Sequence, residues 1–210
     1  MTTHWDSIYQ HYQQGGEAWA TLAEEIHPLF LPFLERTQFP VKQALDIGCG
    51  TGKYLQMLAG RGFGVTGIDT SETALQMTKD LVPGAEVVLA DMYDWPIPAG
   101  RYDVILSVST IHHGTKDQVA GTIQHIHEAL LPGGSIFITI PDWDHAKAKQ
   151  TPETHETIAP GVSAPLTGPE KGLAHSFYTE AEARQAFAAF ANLRLELDLY
   201  HRWVITGAKT

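Results

Sequence analysis

The sequence has a single cysteine, Cys49, among its 210 residues. No intrachain disulfide can form, so the fold rests on its core, and such cysteine usage fits a reducing compartment. Long apolar runs are also absent: none approaches the roughly 18–20 residues of a membrane span. Basic clusters are missing too, since 14 Lys and Arg face 24 Asp and Glu and leave a formal charge of −10. That balance argues against surfaces that track nucleic-acid phosphates or anionic membranes. The opening "MTTHWDSIYQ" lacks the charged and apolar regions of a signal peptide. The expectation is a cytoplasmic chain with neither nucleic acid nor membrane as partner, its oligomeric state open. Apolar residues make up 43%, an ordinary share for one well-buried core.

What is present alternates. "QALDIG" (43–48), "GVTGID" (64–69), "EVVLAD" (86–91), "YDVILSVS" (102–109) and "SIFITI" (135–140) read as buried strands. Between them lie helical stretches at 53–62, after Ser71, and from Thr115 to Leu131, where Val119, Ile123, Ile126 and Leu130 recur at helical spacing. Strands apolar along their whole length are covered on both faces, and alternation with helices implies right-handed parallel crossovers. Thr179 and Glu182 form a capping box, and "LRLELDLY" with "WVITGA" reads as a terminal hairpin. The predicted class is α/β: a doubly wound, mostly parallel sheet ending in an antiparallel hairpin, one domain over 1–210. Residues 1–40 are expected to form a helical cap, broken near Pro28 and Pro32. Residues 142–176 show little periodicity and are expected to be an irregular insert lining the substrate pocket.

The segment "ALDIGCGTGKYLQMLA" (44–59) places Gly48, Gly50 and Gly52 at every second position after the first strand. In open α/β sheets this turn lies where ligands bind, and glycines there let a ligand approach the backbone. The dinucleotide pattern G-x-G-x-x-G is not met, because Lys53 stands at its third glycine. Asp46, two residues before Gly48, would oppose a pyrophosphate at the helix N-terminus. A ligand with a positive centre and no phosphate suits it better, and S-adenosylmethionine is such a ligand. Asp69 ends the second strand, placed for two ribose hydroxyls, and Asp91 ends the third, placed for an adenine amine, with the Met92 N–H beside it.

The series "LDIGCGTG", "VTGIDTS", "VVLADMYDWP", "RYDVILSVSTIHH" and "LLPGGSIFITI" resembles the motif series of class I S-adenosylmethionine-dependent methyltransferases of the small-molecule type. It covers about residues 43–140, and the hairpin fits that family's seven-stranded, Rossmann-like sheet. The resemblance implies that Asp46 and the backbone of 48–52 hold the methionyl part, Asp69 the ribose, and Asp91 with Met92 the adenine. Thr70 would lie against the adenine, and Ser107 or Val108 would contact the methionyl end through the backbone.

Methyl transfer is an in-line attack on an already activated carbon, so the protein mainly aligns the nucleophile and removes a proton where one must leave. His112 and His113, after the fourth strand, are the candidate bases, with His175 in "AHSFYT" as a second candidate. The N-terminal aromatics Trp5, Tyr9, Tyr12 and Trp19 are candidates to close over the sulfonium by cation–π contact; packing of a helix on the domain is the alternative for them. No N/D-P-P-Y/F follows the fourth strand, which disfavours transfer to DNA bases. The glutamate pair of arginine methyltransferases and the Asp of magnesium-dependent catechol methyltransferases are missing as well. No metal is expected: His125 and His127 stand two apart on a helix and read as solvated. The reading is methyl transfer from S-adenosylmethionine to an O, N or S atom of a small molecule. The alternatives are a cofactor-binding regulatory protein without transfer activity and an NAD(P)-dependent oxidoreductase.

Overall fold

A computed structural model describes residues 4–16 and 25–210. Seven strands form one sheet in the order β3-β2-β1-β4-β5-β10-β9. They are β1 (Gln43–Ile47), β2 (Gly64–Asp69), β3 (Glu86–Leu89), β4 (Tyr102–Ser107), β5 (Leu130–Pro141), β9 (Ala191–Leu197) and β10 (Arg202–Ala208). The first five are parallel, whereas β10 runs antiparallel to both β5 and β9. This is the expected α/β sheet with its terminal antiparallel hairpin.

The period of two in the central strands splits their side chains between two apolar layers. Leu45, Ile47, Ile105, Ile136, Ile138 and Ile140 meet helix α5 (Lys116–Ala129) on one face. Ala44, Val104, Leu106 and Phe137 meet α2 (Phe30–Arg36), α3 (Lys53–Ala59) and α4 (Glu72–Leu81) on the other. Phe137 is fully buried and touches the rings of Phe30 and Phe33, so α2 is held by aromatic packing. Pro32 falls in the first turn of α2, where no intrahelical N–H bond is lost.

Several boundaries move. The third strand ends at Leu89, not at Asp91, and Asp91 heads a turn in which the N–H groups of Asp94 and Trp95 donate to its carbonyl. Helix α5 ends at Ala129 because Leu130 already pairs with Tyr102; the Pro-Gly-Gly that follows lies in β5 rather than closing the helix. His127 is not solvated: its ring packs edge-on against Phe190 and its Nε2 is buried without a partner. The segment 142–176 is not irregular. It holds α6 (Trp143–Lys147) and a second sheet of β6 (His155–Ala159), β7 (Val162–Pro165) and β8 (His175–Ser176). Those strands are two to five residues long, too short for periodicity to register. Helix α7 (Glu180–Ala186) starts at the capping box on Thr179, as its sequence predicts.

At the N-terminus, α1 (His4–Gln13) lies over the ends of the strands. The Asp6 carboxylate accepts from Ser71 Oγ at 2.7 Å and from the Thr73 N–H at 2.9 Å. A helix N-terminus attracts a carboxylate, so Asp6 pins α1 to the start of α4. Of the aromatics singled out in the sequence, Trp19 lies outside the described residues.

Candidate active site

A cavity of about 340 Å³ opens at the carboxyl ends of β1, β2 and β4, where the crossover on either side of β1 leaves a crevice. Its floor is Asp46, the 48–51 loop and Asp69; one wall carries Thr70, Asp91, Met92 and Tyr93; the other carries Val108, Ser109, Thr110, His113 and Leu173. Trp5, Ile8 and Tyr9 of α1 roof it.

The glycines act through backbone geometry. Gly48, Gly50 and Gly52 have φ of 74°, 53° and 81°, the left-handed region that disfavours side chains. A Cβ on Gly50 would stand 2.5 Å from the Tyr9 hydroxyl, and one on Gly48 would collide with Thr110. Gly52 differs from the other two. It does not line the cavity; it precedes α3, and a Cβ there would press on Thr78 of α4.

Asp69 holds this loop in place. One carboxylate oxygen accepts from the Gly50 N–H and the other from the Ser71 N–H, both at 3.0 Å. Burial raises its pKa, and those backbone bonds oppose the rise. Asp46, 2% exposed, has no such backbone donors. Burial first, then the neighbouring charge of Asp69, push it up to about 8, with Lys53 opposing. A buried carboxyl that faces a cavity and is pushed up by burial and a second carboxylate fits a cationic ligand group, and it opposes a phosphate. Cys49 also lines the cavity, but burial and the two acids push its thiol well above the usual range, so it is not a nucleophile.

Asp91 is exposed; its Oδ1 accepts from the Tyr93 N–H at 2.9 Å. Met92 packs against the apolar layer beneath it. Ser107 does not reach the cavity: it is fully buried and its hydroxyl donates to the Ile47 carbonyl, tying β4 to β1. Val108 and Ser109 take its place on the lining, and Ser109 sits at φ 56° with its N–H on Thr139 Oγ1.

The three candidate histidines do come together, with ring centroids 4.2 Å apart for His112 and His113 and 4.7 Å for His113 and His175. Among them only His113 lines the cavity. Its Nδ1 bonds the Thr110 carbonyl and its Nε2 meets Glu170 at 3.2 Å. Trp5 packs edge-on against the ring. Burial, foremost, lowers the pKa of His113 and drives that of His112 well below the ordinary value. Asp6 meets Ser71 and Glu170 meets His113 more than 50 residues away, and neither acid was singled out from the sequence.

Comparison with known proteins agrees with this geometry. Residues 44–134 match the methyltransferase domain family. A ubiquinone biosynthesis O-methyltransferase of Marinobacter nauticus is 34% identical over 55% of this chain and 51% of its own length. A probable tRNA methyltransferase 9B of Mus musculus is 27% identical over 73% of this chain and 33% of its own. The chain therefore spans between about a third and about half of these curated relatives. A solved S-adenosylmethionine-dependent methyltransferase from Methanosarcina mazei superimposes with a TM-score of 0.68 at 18% identity, over 89% of this chain and 99% of that one, which establishes the shared fold. Over residues 44–134 the chain thus matches a methyltransferase domain, on a fold shared with solved S-adenosylmethionine-dependent methyltransferases.

Proposed function

We propose that this protein transfers the methyl group of S-adenosylmethionine to an O, N or S nucleophile of a small molecule. The observation that carries the reading is Asp46: a carboxyl 2% exposed, facing a cavity, and raised to about 8 by burial and then by the charge of Asp69, which favours a positive charge beside it. The α-ammonium of the cofactor supplies that charge. Asp46 and the backbone of 48–52 would hold the methionyl end, Asp69 the ribose, and Thr70 and Asp91 with Met92 the adenine. When bound, the cofactor supplies a methyl carbon activated by a sulfonium.

The chain's own residues then bind, orient and exclude water. Tyr9 and Trp5 roof the cavity, and α1 is fastened there by Asp6. Ser109, Thr110, His113 and Leu173 shape the side left for the acceptor. His113 Nδ1 is bonded to the Thr110 carbonyl and its Nε2 is turned to Glu170, so the ring stands as a wall of the acceptor side, not as a free base. This favours acceptors that need no strong base, such as a thiolate or an amine. The acidic surface and the roofed cavity support a small acceptor over a tRNA, the substrate class named for one of the relatives.

The test is a thermal melt with S-adenosylmethionine, S-adenosylhomocysteine and NAD(P) in parallel. A ligand at about 100 times its dissociation constant should add roughly 2.7 kcal/mol. Stabilisation by the two sulfur compounds alone supports the reading, and the absence of any shift with them removes it. Cofactor turnover with small thiols, amines and hydroxyl compounds then separates an enzyme from a protein that only binds.

A further inference from the structure

At the acceptor wall, the loop after β4 and the 142–176 insert bring together His112, His113, Glu170 and His175, none of which is assigned to the cofactor. Each ring has its tautomer fixed by its surroundings. His113 Nδ1 lies 2.9 Å from the Thr110 carbonyl, and His175 Nδ1 lies 2.9 Å from the Leu173 carbonyl. A carbonyl only accepts, so both Nδ1 atoms carry a proton, and in the neutral imidazoles both Nε2 atoms present a lone pair. Those lone pairs face the two oxygens of one carboxylate: Glu170 Oε1 is 3.2 Å from His113 Nε2, and Oε2 is 3.3 Å from His175 Nε2. Four acceptor atoms thus point at one another.

Something positive has to lie between them. Two imidazolium rings with centroids 4.7 Å apart, largely shielded from water, would repel each other. A third ring, His112, adds a buried Nδ1 with no partner. Among the described residues, the candidate ligand atoms of His112, His113 and His175 all lie within 4.8 Å of one another.

We infer that His113 Nε2, His175 Nε2 and Glu170 form a site for one divalent transition metal of the zinc class, with His112 Nδ1 available as a fourth ligand. Bonds of about 2.0–2.1 Å in a tetrahedron set ligand atoms roughly 3.4 Å apart; the two nitrogen–oxygen separations, 3.2 and 3.3 Å, already match. Two imidazoles and a carboxylate suit zinc or cobalt better than magnesium or calcium, which prefer all-oxygen shells. The Nδ1–H···O=C bonds of His113 and His175 are the outer partners that metal-bound histidines ordinarily have. Sequence spacing conceals the site, because residues 113 and 175 share no helix or hairpin. The metal would tie the insert to the domain, one ring away from the cavity that His113 lines. This inference does not depend on which acceptor is methylated.

The experiment uses the full chain stripped with a chelator and titrated with Zn²⁺ by calorimetry, and with Co²⁺ by visible absorption. The expected result is one tight equivalent per chain, a tetrahedral cobalt band, and a higher melting temperature with Zn²⁺. His175→Asn and Glu170→Gln should each weaken binding by at least the 10–100-fold that loss of an outer partner alone costs. His125→Ala, on the solvent side of α5, should not. S-adenosylmethionine binding, measured on the same samples, reports whether each variant is folded and tests the cofactor reading separately. No metal uptake by the wild-type chain overturns the site. So does uptake that His175→Asn and Glu170→Gln leave unchanged while cofactor binding persists. Stripped wild-type protein that shows a stable imidazolium at His113 or His175 and takes up no zinc would assign the cluster to a shared proton instead.

Discussion

In the free protein the Asp46 carboxyl ionises at about 8, raised from 3.8 by burial and then by Asp69. At 1.36 kcal/mol per unit, holding it ionised costs the fold on the order of 5 kcal/mol. That cost is absent below the unfolded pKa near 4 and complete above pH 8, because across that window the folded state binds the proton that the unfolded state has lost. A bound α-ammonium reverses the balance. At pH 7 roughly nine in ten Asp46 carboxyls are protonated, so binding S-adenosylmethionine should release about 0.9 proton. Apparent affinity should rise about tenfold from pH 6 to pH 7 and flatten near 8, where the ligand's own amino group begins to lose its charge. Calorimetry at pH 7 in two buffers of different ionisation enthalpy reads the proton directly. Asp46→Asn should abolish the release, weaken the cofactor, and raise the melting temperature of the free protein at pH 8. Heats that do not depend on the buffer, or a proton release that survives Asp46→Asn, would refute the assignment of Asp46 to the ammonium.

Gly50→Ala forces a side chain into φ 53° and to 2.5 Å from the Tyr9 hydroxyl; roughly 1–2 kcal/mol of strain and loss of cofactor binding are expected, and wild-type calorimetric affinity would contradict this. Ser71→Ala removes both the cap of α4 and the donor to Asp6, so denaturant unfolding should show a loss of about 1–2 kcal/mol together with faster proteolysis of α1; a variant as stable as wild type would count against that anchoring. Burial would raise Asp198, but hydrogen bonds from His27 and Arg202 outweigh it and hold it near 2. Its stabilisation is therefore complete above the unfolded pKa of about 3.9 and is lost as the pH falls toward 2. Acid titration of Asp198→Asn should show a shallower stability loss between pH 4 and pH 2, and an unchanged slope would remove Asp198 from the acid transition.

The α/β class, the central strands, the glycine turn and its acids were legible because each is written in short-range pattern. An apolar run covered on both faces, a helix cap such as Ser71 or Thr179, and three alternate glycines need only their neighbours to be recognised. Asp46 and Asp69 could be placed because the carboxyl ends of parallel strands converge on one edge, and Asp91 reaches the same edge from the turn two residues beyond β3. The choice between Ser107 and Val108 stayed open for a related reason. The end of β4 does reach the site, but side chains alternate along a strand, and which of Ser107 and Val108 faces the cavity depends on the sheet's register against β1. The small sheet in 142–176 was hidden by strands of two to five residues.

The sequence by itself determined the central strands with their parallel crossovers and the acidic glycine turn, since local sterics and hydrophobic period govern those. Only the tertiary structure decided that Asp6 would fasten α1 to α4, that His113 alone of the three histidines would line the cavity, and that Glu170 would stand between His113 and His175. The Asp6–Ser71 and His113–Glu170 contacts join residues 57 or more positions apart. Their cost and their gain arise from burial and chain closure, which no local pattern records.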